Sequence, residues 1–292
     1  MRWWLNEEWN RLSFTWDIWY GCNYRCGYCW WEMDNLWATL AKRHKILPPE
    51  AWHECWKRIA ERYGEARIDI IGGEPLYYPR WQELFTGLSR MHLLSITTNL
   101  SMPLNELESF AEGIGPSRLH ISASWHPQFA QWEEFSQKVL RLTAMGFNPS
   151  VTLVAWPPFF DQMKAWRDFF WSRDISFTTQ VFQGRHEGKE YPAAYTVEER
   201  AMLGLMIPKP EEVAYRLEQQ TTMGKPCRAG QVYANIKGDG DIYRCGQDAF
   251  GLKPLGNLFD AEIKLNDAPK PCPYQHCSCG EFAFLKEVHD AR

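Results

Sequence analysis

Two hydrophobic rhythms take turns along this chain. Residues 13–19, SFTWDIW, are rich in aromatic and β-branched positions and predict a strand. From 49 to 63, apolar residues recur at Trp52, Cys55, Trp56, Ile59, Ala60 and Tyr63, the stripe of an amphipathic helix. Cys55 falls on that stripe and reads as a buried hydrophobe rather than a ligand. ARIDIIGGEP then predicts a strand running into a double glycine, RWQELFTGLSRM a helix, LLSITTN a strand, and PLNELESFAEGI a helix stopped at Gly113–Gly115. RLHISASW, PSVTLVAW and ISFTTQVF predict three more strands. Between them lie helical patterns in FAQWEEFSQKVLRLTAMG, closed by Gly146, and in FFDQMKAWRDFFWSRD. Strand and helix patterns alternating through six strands predict an α/β fold, a parallel sheet with helices outside it. Periodicity alone does not choose between an open barrel and a doubly wound sheet.

The rhythm breaks after Phe182. QGRHEGKEYPAAYTVEER is polar and rich in glycine and charge, and predicts a loop or linker; PEEVAYRLEQQT predicts a helix. Beyond about residue 220, Gly, Asp, Pro and Cys dominate. Such a tail has too few apolar residues to fold well alone, and a bound metal would be its natural support. Cys227 and Cys245 bracket a predicted hairpin turning at KGDG.

Composition narrows the picture. The 292 residues fit one large domain, or one domain with an appendage, and 45% hydrophobic residues promise a folded core. A net charge of −4 lacks the basic footprint of a nucleic-acid binder, so DNA and RNA are not expected partners. The most apolar run, VTLVAWPPFF, is short and carries two prolines, so no membrane span is expected. The N-terminus has acids where a signal peptide would have its apolar stretch, which predicts a cytoplasmic location. In that compartment the nine cysteines read as ligands or core residues rather than disulfides. Eight of the sixteen tryptophans precede residue 38; they read as core packing, or as a shell that keeps water and oxygen from an oxidisable cofactor.

The chemistry concentrates in GCNYRCGYCW, where Cys22, Cys26 and Cys29 stand in a C-x3-C-x2-C spacing. A zinc site or a closed iron–sulfur site normally takes four protein ligands. Three thiols therefore imply a last ligand from outside the protein. Gly21 and Gly27 let the loop curl. Polar motifs mark the ends of the next three strands. Gly72, Gly73, Glu74 and Pro75 follow the second, with glycines that permit close backbone approach and a carboxylate able to hold an ammonium group. Thr97–Asn99 ends the third, and Ser122–Ser124, with hydroxyls suited to a ribose, ends the fourth. Active sites of βα barrels lie at this end of the strands.

C-x3-C-x2-C with an aromatic, Tyr28, before the last cysteine, followed by GGEP, resembles the radical S-adenosylmethionine (SAM) enzymes. The resemblance covers roughly residues 13–182 and implies a partial (β/α)6 barrel with a small Cys-rich C-terminal extension. It implies a [4Fe–4S] cluster on Cys22, Cys26 and Cys29, whose open iron is chelated by the amine and carboxylate of SAM. Tyr28 would lie near the adenine, and Gly72, Gly73, Glu74 and Pro75 at the methionyl ammonium. Asn99, Ser122 and Ser124 match the ribose and methionine contacts less tightly. The implied reaction is reductive cleavage of SAM to methionine and a 5′-deoxyadenosyl radical, which takes a hydrogen atom from a substrate.

The tail, CRAGQVYANIKGDGDIYRC followed by CPYQHCSC, resembles the SPASM/twitch extension that holds auxiliary iron–sulfur clusters. Two such clusters use seven cysteines; the five here imply one auxiliary [4Fe–4S] cluster on four of Cys227, Cys245, Cys272, Cys277 and Cys279. Thiolates also suit zinc, so a structural zinc site is the alternative. The expected division is residues 1–182 for the barrel, 183–226 for a linker with helix, and 227–292 for the cluster extension. An auxiliary cluster can accept an electron from a substrate radical, which would make the net reaction an oxidation.

The resemblance implies a peptide or small-metabolite substrate and an electron donor such as flavodoxin or ferredoxin. Only 21 residues precede Cys22, so a leader-peptide-binding module ahead of it is not expected. The chain ends HDAR rather than in the double glycine of the molybdenum-cofactor cyclase, which weighs against that relative. A glycyl-radical activase and a non-catalytic iron–sulfur or zinc scaffold are the remaining alternatives. His126, Arg185, His186 and Glu187 are polar candidates for a substrate pocket; His126 reads equally as a packing or capping residue beside Pro127.

Overall fold

The structure is a computed structural model that describes residues 12–30, 42–207, 209–250, 254–277 and 280–289. Strand and helix alternate as β1 (Ser13–Trp19), α1 (Pro49–Tyr63), β2 (Arg67–Gly72), α2 (Trp81–Ser89), β3 (Leu93–Thr98) and α3 (Leu104–Ile114). The series continues with β4 (Leu119–Ser124), α4 (Trp132–Ala144), β5 (Ser150–Val154), α5 (Phe160–Trp171) and β6 (Ser176–Gln180). The six strands lie side by side in chain order, each parallel to the next. A doubly wound sheet would reverse its strand order at a switch point. Sequential order selects the partial barrel, the question that periodicity left open.

The pleat divides each strand between two environments. Phe14, Trp16, Ile18, Ile68, Ile70, Leu94, Ile96, Ile121, Ala123, Val151 and Leu153 are all buried. Trp16 packs edge-on against Trp52 and Trp56 of α1, with centroids 4.9 and 5.4 Å away, so this is the helix-covered face. Intervening positions carry polar groups: Thr15, Asp69, Ser122, Ser124, Thr152 and Thr178 stay partly exposed. The sheet thus turns an oily face to its helices and a largely polar one away from them. Trp16, Trp52 and Trp56 serve as core, in keeping with the packing reading. Trp3, Trp4, Trp9, Trp31 and Trp37 lie outside the described residues.

Beyond β6 the chain is more ordered than its polarity predicts. The stretch read as a loop contains a hairpin, β7 (Gly184–His186) with β8 (Lys189–Tyr191), and a helix, α6 (Val197–Met206). Thr196 Oγ1 accepts the Glu199 amide at 3.2 Å and Glu199 Oε2 accepts the Thr196 amide at 2.8 Å, a reciprocal capping box. The T-V-E-E signature was in the sequence; the surrounding charge and glycine obscured it. PEEVAYRLEQQT is helical only in short turns, at Pro210–Glu212 and Val213–Leu217.

The tail adds β9 (Pro226–Cys227), β10 (Tyr233–Ile236), β11 (Asp241–Tyr243), β12 (Gly256–Asn257) and β13 (Lys270–Pro271). β10 and β11 form the hairpin predicted at KGDG, with Gly240 at φ 91° in its turn. β10 also pairs in parallel with β1, Ser13 opposite Tyr233, so the sheet runs β12-β11-β10-β1-β2-β3-β4-β5-β6. Lys237, just after β10, pairs with Asp17 of β1, and both are buried. No described helix is long and apolar enough to cross a membrane.

His120 sits on the polar face of β4, its two ring nitrogens 3.2 Å from Ser95 Oγ and 3.2 Å from Ser150 Oγ. Burial, with the Arg67 charge adding, pushes its imidazole down to about 3. The folded state keeps it neutral, whereas the unfolded chain takes up a proton below about pH 6.5. Stability is therefore full above that value and falls as pH drops from about 6.5 towards 3, by at most about 1.4 kcal/mol per pH unit from this group. Denaturant unfolding between about pH 4.5 and 7 should give a shallower pH slope for His120→Asn than for the wild type. Equal slopes would remove His120 as the acid-sensitive group.

Candidate functional site

β1 delivers the chain into the cysteine loop. The Cys29 amide donates to the Cys26 carbonyl at 2.9 Å, and the Tyr24 amide points at Cys22 Sγ at 3.4 Å. Burial pushes the Cys22 thiol up to about 11, with Glu74 and Cys29 adding to it. The Cys26 thiol is pushed up to about 12, again mainly by burial, with Cys29 and Cys22 adding. The three sulfurs thus feel one another's charge. A metal binding here would displace the protons that burial favours on the Cys22 and Cys26 thiols. Among the described residues, no group of three or more His, Cys, Asp or Glu side chains converges on a single metal ion. Three thiolates on one short loop can each serve a different iron of a cluster, and the donor set of Cys22, Cys26 and Cys29 fits that chemistry.

The GGEP turn locks onto the same loop. The Gly73 amide donates to the Trp19 carbonyl at 2.9 Å and the Glu74 amide to the Gly21 carbonyl at 2.7 Å. A Cβ on Gly72, at φ 142°, would lie 2.2 Å from the Trp19 oxygen; one on Gly73 would lie 2.0 Å from the Gly21 oxygen. Both glycines therefore serve a close approach to the backbone at and just beyond the end of β1. Glu74 is 2% exposed. Its Oε1 accepts the Leu76 amide at 3.0 Å and its Oε2 the Asn99 amide at 2.7 Å. Burial pushes its carboxyl up to about 7 against the pull of those amides. An ammonium ion beside it would favour the charged form. Pro75 opens the short turn Pro75–Tyr77 that follows.

The other predicted residues distribute around this junction. Asn99 Nδ2 donates to Asn23 Oδ1 at 2.9 Å, tying the end of β3 to the cysteine loop. Ser122 and Thr152 hydroxyls meet at 3.3 Å across β4 and β5, and Ser124 is partly exposed at the end of β4. Tyr28 is buried, parallel to the His126 ring at 5.9 Å and packed on Trp156 and Phe159 at 5.4 Å each. Its hydroxyl lies 2.9 Å from His126 Nδ1, which also lies 3.3 Å from Cys26 Sγ. Burial pushes the His126 imidazole down to about 4, although part of the residue remains exposed. His126 thus faces the cysteine loop. His186 packs on Trp156 at 5.0 Å, one ring removed from Tyr28. Arg185 and Glu187 are exposed on the hairpin. Sequence reasoning passed over Asn23, Gln128 and Trp156, none of which sits in a motif that marks it.

A second thiol group lies in the tail. Cys227, Cys245, Cys272 and Cys277 line one cavity of about 320 Å³, including its open mouth, together with Tyr274 and Glu281. Pairing of β9 with β13 and the Cys272 amide bonded to the Lys225 carbonyl at 2.9 Å bring the first and third cysteines together. Burial pushes the Cys227 and Cys245 thiols up. Cys279 lies outside the described residues. Cys55 is buried on α1, outside both groups, and every described cysteine is a free thiol.

The half-barrel thus carries three thiols beyond the carboxyl end of its first strand and a buried acid beyond the end of its second. Residues 16–124 match the sequence model of the Radical SAM superfamily. Among solved structures, SuiB of Streptococcus suis is similar at 15% identity and a TM-score of 0.63, over 87% of this chain and 66% of that one. SuiB bound to S-adenosylmethionine gives 16% identity and a TM-score of 0.62, over 87% of this chain and 62% of that one. A structure of anSMEcpe with bound AdoMet and Cp18Cys peptide gives 14% identity and a TM-score of 0.60, over 96% of this chain and 81% of that one. The chain thus spans somewhat under two-thirds of the length of these SuiB chains. No curated protein sequence matches it.

The β1–β2 junction supplies a paired test. Gly73→Ala drives a methyl group into backbone atoms on which the cysteine loop depends, and should cost at least about 1–3 kcal/mol. Gly113→Ala, in the exposed end of α3 with nothing within 4 Å of its Cβ, should instead gain about 0.5–1 kcal/mol. Chemical denaturation of both variants checks the contrast; a neutral Gly73→Ala would contradict the close packing described.

Proposed function

We propose that this protein is a radical SAM enzyme acting on a peptide or small metabolite, with an auxiliary [4Fe–4S] cluster in its tail. One observation carries the reading: the Glu74 amide bonds to the Gly21 carbonyl at 2.7 Å, next to Cys22, and its side chain is buried there, so a buried acid and a set of only three thiols meet at one junction. A purely structural or electron-transfer centre has no use for such an acid. Bound there, the [4Fe–4S] cluster and SAM would supply one-electron cleavage of the S–C5′ bond, yielding methionine and the 5′-deoxyadenosyl radical that abstracts a substrate hydrogen atom.

The chain's own part is binding and orientation. Cys22, Cys26 and Cys29 hold the cluster. Glu74 receives the methionyl ammonium, with Gly72, Gly73 and Pro75 shaping the turn around it. Tyr28 would border the adenine, and Asn99, Ser122 and Ser124 would serve the ribose and methionine. The polar inner face of the sheet, with Asp69, Thr152 and Thr178, favours a polar substrate over an oily one. A peptide is one such substrate, as bound in the anSMEcpe structure.

In the tail, four of Cys227, Cys245, Cys272, Cys277 and Cys279 hold the auxiliary cluster. The single cavity shared by the four described thiols supports this assignment. Bound there, such a cluster would supply a one-electron acceptor near the substrate, which suits a net oxidation. A flavodoxin or ferredoxin is the expected electron donor, in a reducing cytoplasm that suits free thiols.

Anaerobically reconstituted, dithionite-reduced protein should convert SAM to 5′-deoxyadenosine, measured by liquid chromatography. Product no higher than in a Cys22→Ala variant would defeat the catalytic reading. Metal analysis of the same preparation should find about eight irons per chain, as two four-iron clusters require. About four irons with one zinc would assign the tail to a structural zinc site instead.

A further inference from the structure

Residues 126–128, just beyond β4, reach onto the cysteine loop. His126 Nδ1 lies 3.3 Å from Cys26 Sγ and 2.9 Å from the Tyr28 hydroxyl. Two residues on, Gln128 Oε1 accepts the Gly27 amide at 3.1 Å. One short stretch thus grips three consecutive residues, Cys26, Gly27 and Tyr28. The His126 ring is fixed for this contact, edge-on to Tyr24 at 5.8 Å and parallel to Tyr28 with 7° between their planes. Nothing in the motifs of the sequence requires a histidine at this place.

We propose that His126 donates its Nδ1 hydrogen to the sulfur of Cys26 and thereby sets the electron affinity of the cluster on Cys22, Cys26 and Cys29, with Gln128 holding the loop in register. This rests on the reading of those cysteines as cluster ligands. A sulfur bound to iron has lost its proton and can only accept. An Nδ1 lone pair facing it would repel it, so the favourable tautomer carries the hydrogen on Nδ1 and leaves Nε2 bare. The Tyr28 hydroxyl, at hydrogen-bond distance from the same nitrogen, can share that hydrogen or turn its own towards the sulfur. Hydrogen bonds to cluster sulfurs draw off negative charge and stabilise the reduced form over the oxidised one. Removing the donor should make the cluster harder to reduce. His126 is thus a positioning and tuning residue; it has no step of its own in the reaction.

Two substitutions separate the hydrogen bond from the packing. His126→Asn places an amide N–H near the position of Nδ1, whereas His126→Phe keeps a flat ring and loses the donor. The readout is an EPR-monitored redox titration of the full-length reconstituted protein, following the reduced-cluster signal that is absent in Cys26→Ala. His126→Phe should shift its midpoint to a more negative potential, and His126→Asn should stay close to the wild type. Equal midpoints in His126→Phe and the wild type would overturn the proposal. So would a shift in His126→Asn as large as that in His126→Phe, since packing would then be the cause. A wild-type protein with no signal that depends on Cys26 would overturn the cluster site itself, and this inference with it.

Discussion

The architecture turns on the contact between the ends of β1 and β2. Strand β1 must deliver three thiols to one small volume, and strand β2 must deliver a carboxylate beside them. The two ends can meet only because residues 72 and 73 lack side chains, since a Cβ at either would fall within 2.2 Å of a carbonyl oxygen, that of Trp19 at the end of β1 or of Gly21 just beyond it. Amide bonds from Gly73 and Glu74 to Trp19 and Gly21 then fix the junction. Glu74 goes under with both oxygens bonded to backbone amides, and burial raises its carboxyl against their pull. The cysteine loop and the acid are therefore one structural unit.

Much of this was legible in the sequence, because period-2 and period-3.6 patterns report directly on which face each element buries. Helix α1 spans the residues its apolar stripe predicted, and all six strands of the barrel appear where alternation placed them. Strand order was not legible, since every parallel α/β sheet shares the same alternation; it emerged only from the pairing of β1 through β6. The helix at Val197–Met206 was hidden because its surroundings are charged and its apolar face is short. The close approach served by Gly72 and Gly73 was foreseen, but not its partner, because a glycine announces missing bulk without naming what fills the space.

At the site, the motifs identified the cysteines and the acid, while the residues that brace them came from the structure alone. Asn23, Gln128 and Trp156 act through contacts between residues far apart in sequence, which no local pattern encodes. His126 was visible as a polar residue at a strand end, equally open to two readings; its contacts with Cys26, Tyr24 and Tyr28 lay beyond any local pattern. In the tail, the sequence grouped the cysteines and the fold gathers four of them around one cavity, with β10 stitched to β1 so that the two thiol groups hang from the same sheet.

The central claim is that the cluster on Cys22, Cys26 and Cys29 keeps one iron free for SAM. The most direct measurement is electron–nuclear double resonance on the reduced protein, mixed with SAM carrying ¹⁵N in its amino group. The account predicts a ¹⁵N coupling to the cluster that disappears when unlabelled SAM is substituted. A reduced cluster that shows no such coupling at saturating SAM would mean that its fourth corner is closed.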